Sequence, residues 1–514
     1  MFESLPSIMS FANFRRLLLI LTGLAALMFL VRAARWLPVT QDNMYPEAAV
    51  VVSAQRWAQG LPLYTDYRIA PYLITTFPPP WYFCLAGAYR IGLSTLDSMT
   101  LFGRILSLTS LFAVAILAYL WNRRRGFPIS LAILSPTFLL SFPVLIPWAV
   151  TARPDFPALL FSLLAVLLVG EEAGVSWTFL AGLLAGLSFL FRHSSIAAPV
   201  AIGLWLLSSR RWKAVIALCS GWFLVVVPLL WHFEITSHGL LRQNLSGSNF
   251  GTLRLQNAHH ILMLIFSDDW HQFAAALFAF GFFGFLQCIR RRTGSYQLIS
   301  IYFTTSLGLG FIGSMLAGAS TNYYFETAII ASILVVPGLM RLQETWPKGS
   351  SVASFMALVL VLWLVPSLDY ERWLIFGEKR PDYRSVLPLI AHRRILTDIA
   401  YLGARSTYPE FLDPVALTLA ERAGHWSSEP LVTGVRNKEF EIIMLFEPNG
   451  PYEGARSRWP HTSDSLGRAI SASYDLCAHL DEASTYAYGP LRDQSTGPRS
   501  ADCSSLSVRS VPSH

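Results

Sequence analysis

Long apolar stretches alternate along the chain with short polar breaks in which arginine recurs. A helix needs about 20 predominantly apolar residues to cross roughly 30 Å of hydrocarbon. The pattern predicts spans at Phe14–Trp36, Met99–Trp121, Ile129–Val150, Pro154–Gly170, Trp177–Phe191, Ile196–Ser208, Ala214–Phe233, Trp270–Ile289, Tyr296–Ala317, Tyr323–Met340 and Ser351–Pro366. Trp177–Phe191, Ile196–Ser208 and Ser351–Pro366 are short, and need local bilayer thinning or snorkelling flanks. One stretch breaks the rhythm. After the first span, "TQDNMYPEAAVVVSAQRWAQGLPLYTDYRIAPYLITTFPPPWYF" carries Asp42, Glu47 and Asp66, then turns apolar again through Pro78, Pro79 and Pro80.

Composition agrees with a membrane protein: 53% of the 514 residues are hydrophobic and 14% charged, too apolar for an ordinary soluble chain. Sixteen tryptophans suit aromatic belts at the two interfaces. A net charge of +7 would suit nucleic acid, but its placement excludes that reading. Arg15/Arg16, Arg123–Arg125, Arg210/Arg211/Lys213, Arg290–Arg292 and Arg341/Lys348 each sit beside the end of an apolar run, as cytoplasmic loops do. If Tyr72–Gly92 crossed the bilayer, every cluster after the first would move outside. If it is re-entrant or lies in the outer interface, all of them stay inside, and three prolines interrupt a spanning helix. The N-terminus is then cytoplasmic, and residues 37–98 form an outer-face loop with juxtamembrane helices.

Eleven spans also place the chain from about Asp369 outside. There "RRILTDIAYLG" and "EFEIIMLF" read as strands, and "LDPVALTLAERAG" as a helix capped by Asp413, started by Pro414 and stopped by Gly424. The expected organisation is a transmembrane module over residues 1–368, a small α/β domain over 369–455 and a loosely ordered tail over 456–514. No internal repeat or cleavable signal peptide is evident. Cys84, Cys219 and Cys288 lie in apolar contexts, whereas Cys477 and Cys503 both face outward and could pair. The CxxC, HExxH, Walker A and Rossmann glycine patterns are absent, which argues against nucleotide-driven chemistry.

The acids are the next signal. "PEAAVVVSAQRWAQG" reads as a short helix with Pro46 at its first position, Glu47 in its first turn and Gly60 at its end. The helix dipole favours ionised Glu47, which suits a general base or a residue that only complements the terminus. Asp42 is either a second acid or a solvated loop residue. "WAVTARPDFPALLF" brings Arg153 and Asp155 to the same membrane face, where an ionisable pair is costly and is either functional or an interfacial anchor. In "FRHSS", Arg192 could hold a phosphate on two prongs and His193 could donate a hydrogen bond to it; the alternative is a snorkelling arginine. Asn322, Tyr323 and Glu326 of "GASTNYYFETA" make a fourth polar set, or an ordinary polar helix start. Four sets on one face suggest a site for a polar group at the membrane surface.

These residues carry a resemblance. "EAAVVVSAQRWAQGLPLYTD", "PPPWYF", "RPDFPALLFSLLA", "LLAGLSFLFRHSSIA" and "STNYYFE", in this order, resemble the GT-C class of integral-membrane glycosyltransferases. The nearest branches in character are the aminoarabinose, protein mannosyl and rhizobial galacturonosyl transferases, and the likeness runs from Phe14 to about Pro448. It implies a polytopic α-helical GT-C-like membrane fold in a bacterial inner membrane. It also implies sugar transfer from a polyprenyl-phosphate donor to a glycan, lipid or protein acceptor on the outer face, usually with inversion. The adjacent Asp-Glu pair common in the first loop of such enzymes is missing here, so either Glu47 or Asp42 would take the acceptor proton. Asp155 would orient acceptor or sugar; Arg192, with His193 and Arg153, would stabilise the leaving lipid phosphate. Asn322, Tyr323 and Glu326 would help bind substrate. A divalent metal is used in some branches only, and no ligand spacing here is diagnostic of one.

Two other classes compete. A polyprenyl-linked-sugar flippase or transporter would place its ionisable residues at the midplane and often repeat its halves. An O-antigen polymerase or ligase would carry a large arginine-rich outer loop between late helices, whereas Glu234–Asp269 is moderate, with Arg242 and Arg254.

Overall fold

The computed structural model describes residues 10–39, 42–43, 47–142, 144–170, 173–247, 253–266, 271–291, 294–345, 358–366, 368, 372, 383–406, 408, 411–446, 463–480, 485–491 and 503. The apolar runs fold as helices. The first is α1 (Phe11–Trp36), followed by two short helices, α2 (Glu47–Ala58) and α3 (Pro79–Arg90), and by the long α4 (Leu96–Arg124). The expected span Ile129–Val150 is broken into α5 (Ile129–Ala132), α6 (Leu134–Leu140) and α7 (Leu145–Ala149). Pro128, Pro136 and Pro147 explain the breaks, since each removes a backbone donor and crowds the preceding turn. Next come α8 (Asp155–Leu168), α9 (Val175–Phe191), α10 (Ala197–Ser208), α11 (Trp212–Thr236), α12 (Leu240–Gly247), α13 (Leu255–Phe266), α14 (His271–Arg291), α15 (Gly294–Ser314) and, after a 3₁₀ turn at Thr321–Tyr324, α16 (Phe325–Thr345). The last expected span, Ser351–Pro366, is described and helical only over residues 358–366, α17.

Among the described residues, five helical stretches are long and apolar enough to cross a membrane, and shorter apolar helices such as α8, α9 and α10 pack among them. Close approach rests on small residues. Gly182 of α9 and Gly221 of α11 face each other's partner backbone so tightly that a Cβ at either would overlap a carbonyl oxygen, Leu218 O or Phe179 O.

The three prolines act differently from expectation. They begin α3 rather than interrupt a helix, with Pro79 and Pro80 in its first turn, where a missing N–H costs nothing. At 12 residues α3 is roughly 18 Å long and does not span. Its Trp81, Tyr82 and Leu85 are buried against Val50, Val51 and Ala54 of α2, so both short helices belong to the packed core.

The C-terminal unit follows α17. It contains α18 (Leu387–Ile390), β1 (Ile395–Thr397), α19 (Ala400–Arg405), α20 (Pro414–Arg422), α21 (Glu429–Arg436), β2 (Ile442–Leu445), α22 (Asp464–Ser473), β3 (Tyr474–Leu480) and β4 (Thr485–Pro490). The sheet order is β1-β2-β4-β3, parallel between β1 and β2 and antiparallel elsewhere. Two readings change here. "RRILTDIAYLG" is strand only over Ile395–Thr397 and becomes helical from Ala400. The loosely ordered tail expected from residue 456 does not hold over 463–480 and 485–491, which form α22 and two strands of the sheet; the rest of that tail, apart from Cys503, lies outside the described residues. The polar composition that suggested disorder is that of an edge strand: in β3 only Tyr474 is buried, and the positions after it are exposed or half-exposed. Cys477 of β3 forms a disulfide with Cys503.

The unit packs onto the loops of the bundle. Tyr67, Tyr72 and Ile74 join a core with Phe411, Trp426 and Ile443. Ala48 of α2 packs with Tyr383, Ile399 and Tyr401. These contacts place the unit over the start of α2.

Candidate active site

Glu47 begins α2 and is fully buried. Its carboxylate is held on every side. Arg104 of α4 donates from Nε to Oε1 at 2.8 Å and from Nη2 to Oε2 at 2.6 Å, a two-pronged ion pair. The backbone N–H of Ala152 adds a bond to Oε1 at 2.6 Å, and that of Asn43 one to Oε2 at 2.9 Å. Arg104 also donates to the carbonyls of Leu37 at 3.0 Å and Val39 at 2.5 Å, where the chain leaves α1. Sequence reading passed over Arg104. Its signal was present, a charge inside the apolar run "MTLFGRILSLTSLF", where ionisable side chains are rare and paired.

Asp42 lies five positions before Glu47 in the sequence and differs from it in its surroundings: it is half-buried rather than sealed. Burial and the adjacent Glu47 push its carboxyl up to about 8, against the pull of Arg104, Arg405 and the backbone N–H of Ala48. The C-terminal unit closes around it. Tyr383 is pushed above its usual range by burial and then by Asp42 and Asp398. Arg405 stacks on the Tyr401 ring, 3.5 Å from its centroid, and pairs with Asp97 at the start of α4.

A second cluster forms around Asp155, the first residue of α8, also fully buried. Arg153 Nε donates to its Oδ2 at 3.0 Å, Arg192 Nη1 lies 3.0 Å from Oδ1, and Asn322 Nδ2 donates to the same Oδ1 at 2.8 Å. Arg192 Nη1 also donates to the Asn322 carbonyl at 3.2 Å, and its guanidinium lies 5.2 Å from the Tyr323 ring centroid. Arg153 sits over the rings of Trp148 and Phe77, at 4.5 and 5.3 Å. Two guanidiniums on one carboxylate leave a local excess of positive charge, held by aromatic faces.

The expected sets therefore converge unequally. Arg153, Asp155, Arg192, Asn322 and Tyr323 meet. His193 follows Arg192 in the loop between α9 and α10, and burial together with the arginine's charge lowers its imidazole to about 4, so it is neutral near pH 7 with a single N–H to donate. Glu326 is committed elsewhere, accepting a hydrogen bond from the Tyr302 hydroxyl. Asp42 and Glu47 stand in the other cluster. The segment Val150–Asp155 joins the two: Val150 O accepts from Asn43 Nδ2 at 2.5 Å, Ala152 N–H binds Glu47, and Arg153 binds Asp155. Among the described residues no group of three or more His, Cys, Asp or Glu side chains is placed to hold a metal ion.

No protein-family model and no curated protein sequence matches this chain. Solved structures do match in fold. ArnT from Cupriavidus metallidurans, bound to undecaprenyl phosphate, superposes with a TM-score of 0.55 at 13% identity, covering 90% of this chain and 97% of that one. The same protein in the apo state gives a TM-score of 0.57 at 11% identity, covering 91% and 98%. The oligosaccharyltransferase of Archaeoglobus fulgidus in the apo form is more distant, with a TM-score of 0.49 at 11% identity over 94% of this chain and 75% of that one. The chain is an integral membrane protein with the GT-C glycosyltransferase fold that the sequence resemblance implied.

Proposed function

We propose that this protein is a membrane glycosyltransferase that moves a sugar from a polyprenyl-phosphate donor to an acceptor hydroxyl, with Asp42 as the general base. The observation that carries the reading is the pairing of a cationic cluster, Arg153 and Arg192 on Asp155, with an available carboxyl on the far side of one short segment. In the reaction the acceptor oxygen forms a bond to the anomeric carbon while that carbon's bond to the phosphate oxygen breaks. The bonding pair leaves with the phosphate, and the hydroxyl proton passes to a carboxylate. Attack from the face opposite the leaving group inverts the anomeric centre.

Of the two acids the sequence offered as base, Asp42 suits the role better. Glu47 accepts four hydrogen bonds, two of them from the Arg104 guanidinium, which leaves its oxygens no approach to a substrate. Asp42 has partial exposure and a carboxyl near neutral in affinity for protons, the range in which a general base is most effective. Arg192 and Arg153 face charge that develops on the departing phosphate, and His193 can add a neutral donor. Asn322 and Asp155 orient the guanidiniums, while Phe77 and Trp148 lie where a sugar face or the first isoprene units would rest.

The ArnT structure bound to undecaprenyl phosphate supports a polyprenyl phosphate as donor. The positive-inside pattern supports placing the site and the C-terminal unit on the outer face. The Cys477–Cys503 disulfide fits that side, where oxidising conditions preserve such bonds. The test is transfer by the purified chain, supplied with polyprenyl-phosphate sugars and a mixed pool of envelope acceptors. Release of polyprenyl phosphate that depends on acceptor and on Asp42 supports the reading; binding of the donor with no turnover in any acceptor pool, together with its transbilayer movement in proteoliposomes, would favour a flippase.

A further inference from the structure

At the end of α4 away from the C-terminal unit lies a cavity of about 110 Å³. One water needs roughly 10–15 Å³ on this scale, so the space admits a group the size of a phosphodiester. Arg124 and Arg125 form its rim, Ser295 in the first turn of α15 joins them, and Leu117, Val166 and Leu298 are part of an apolar floor. Among the described residues no acidic side chain lines it. Arg125 rests over the Trp121 and Tyr296 rings at 5.0 and 5.4 Å, which fixes one guanidinium at the mouth. Arg124 is exposed and forms no ion pair among the described residues. The start of α15 adds the positive end of a 21-residue helix.

The mouth continues along lipid-facing surface. Ile116, Leu120 and Arg124 recur every four residues on one face of α4, and Ile116 and Leu120 are 57% and 37% exposed. A free phosphate would use the arginines and gain nothing from this stripe. We infer that the pocket binds an anionic phospholipid, its phosphodiester between Arg124, Arg125 and the α15 N-terminus and one acyl chain along Leu120 and Ile116. Basic pockets between spanning helices are suited to such headgroups. Arg104 and Arg124 are twenty residues apart on α4, about 30 Å of helix, so this lipid would sit in the leaflet opposite the candidate active site. The inference stands independently of the glycosyl-transfer reading.

The test uses the full chain purified in detergent, with retained lipid counted by native mass spectrometry during titration with phosphatidylglycerol or phosphatidylcholine. One phosphatidylglycerol should be retained in preference to phosphatidylcholine, and Arg124→Gln and Arg125→Gln should each weaken it about fivefold. Arg124 is exposed, so its variant tests the site even if Arg125→Gln folds poorly. Glu171 and Glu172 follow the lining residue Gly170 in the sequence, so their carboxylates are the alternative to be tested. If lipid is retained only after Glu171→Gln and Glu172→Gln, the chain's own carboxylates fill the site and the inference fails. Equal retention of both lipids, undiminished retention in Arg124→Gln, or displacement by millimolar inorganic phosphate also overturns it.

Discussion

Arg104 and Glu47, 57 residues apart in sequence, form a buried two-pronged ion pair that fixes the start of α2 against α4. The same guanidinium caps the exit of α1 through the Leu37 and Val39 carbonyls, so a single side chain sets both ends of the loop that carries Asp42. This arrangement makes the pair a positioning device for Asp42.

Breaking it should be costly to the fold. Glu47→Gln leaves a buried guanidinium without its counter-charge, and the loss of one partner of such a pair destabilises by about 3–5 kcal/mol. Thermal unfolding in detergent should show the loss in Glu47→Gln and in Arg104→Met. A Glu47→Gln protein of normal stability and no activity would instead return Glu47 to the catalytic role that the sequence suggested.

Asp42→Asn should leave the fold intact and lower turnover by about 10²–10⁴-fold, with donor affinity unchanged, as loss of a general base does. Because the base must be ionised and its carboxyl is raised to about 8, wild-type turnover should climb with pH through that region. Stability should run the other way. The folded state binds this proton more tightly than the unfolded chain, whose aspartate titrates near 3.8, so the contribution is complete below that value and fades as pH rises towards about 8. Unfolding midpoints of wild type and Asp42→Asn across this window check the sign: the variant lacks the slope.

Arg192→Ala should weaken donor-lipid binding by about ten- to hundredfold, the worth of hydrogen bonds to a charged group. Arg192→Lys should recover part of it, because the charge stays while the planar guanidinium, whose Nη1 meets both Asp155 and the Asn322 carbonyl, is lost. Equilibrium binding of polyprenyl phosphate to the purified variants measures both. Unchanged affinity in folded Arg192→Ala would transfer the phosphate to Arg153.

The orientation can be tested with an impermeant thiol reagent on intact cells, after Cys219 is replaced. A cysteine at exposed Arg422 of the C-terminal unit should label, and one at exposed Arg124 should not. Labelling at Arg124 from outside would invert the proposed sidedness of the site.

The sequence by itself determined the membrane fold, because apolar runs of spanning length have few alternatives in a bilayer: their backbone groups must bond within each helix. Arg153, Asp155, Arg192 and Asn322 were legible as candidates because each interrupts or borders such a run. Their meeting on one carboxylate was not, since Asp155 and Asn322 are 167 residues apart and only the packing of α8 against the turn before α16 joins them. The same limit hid Arg104. A helix dipole could say that Glu47 is comfortable as an anion, but not that a guanidinium 57 residues away would saturate it and leave Asp42 as the available acid. Local patterns fix which segments are buried and where charge is expensive. Which charges neutralise one another depends on distances of a few ångströms across the bundle, and those exist only once the helices have packed.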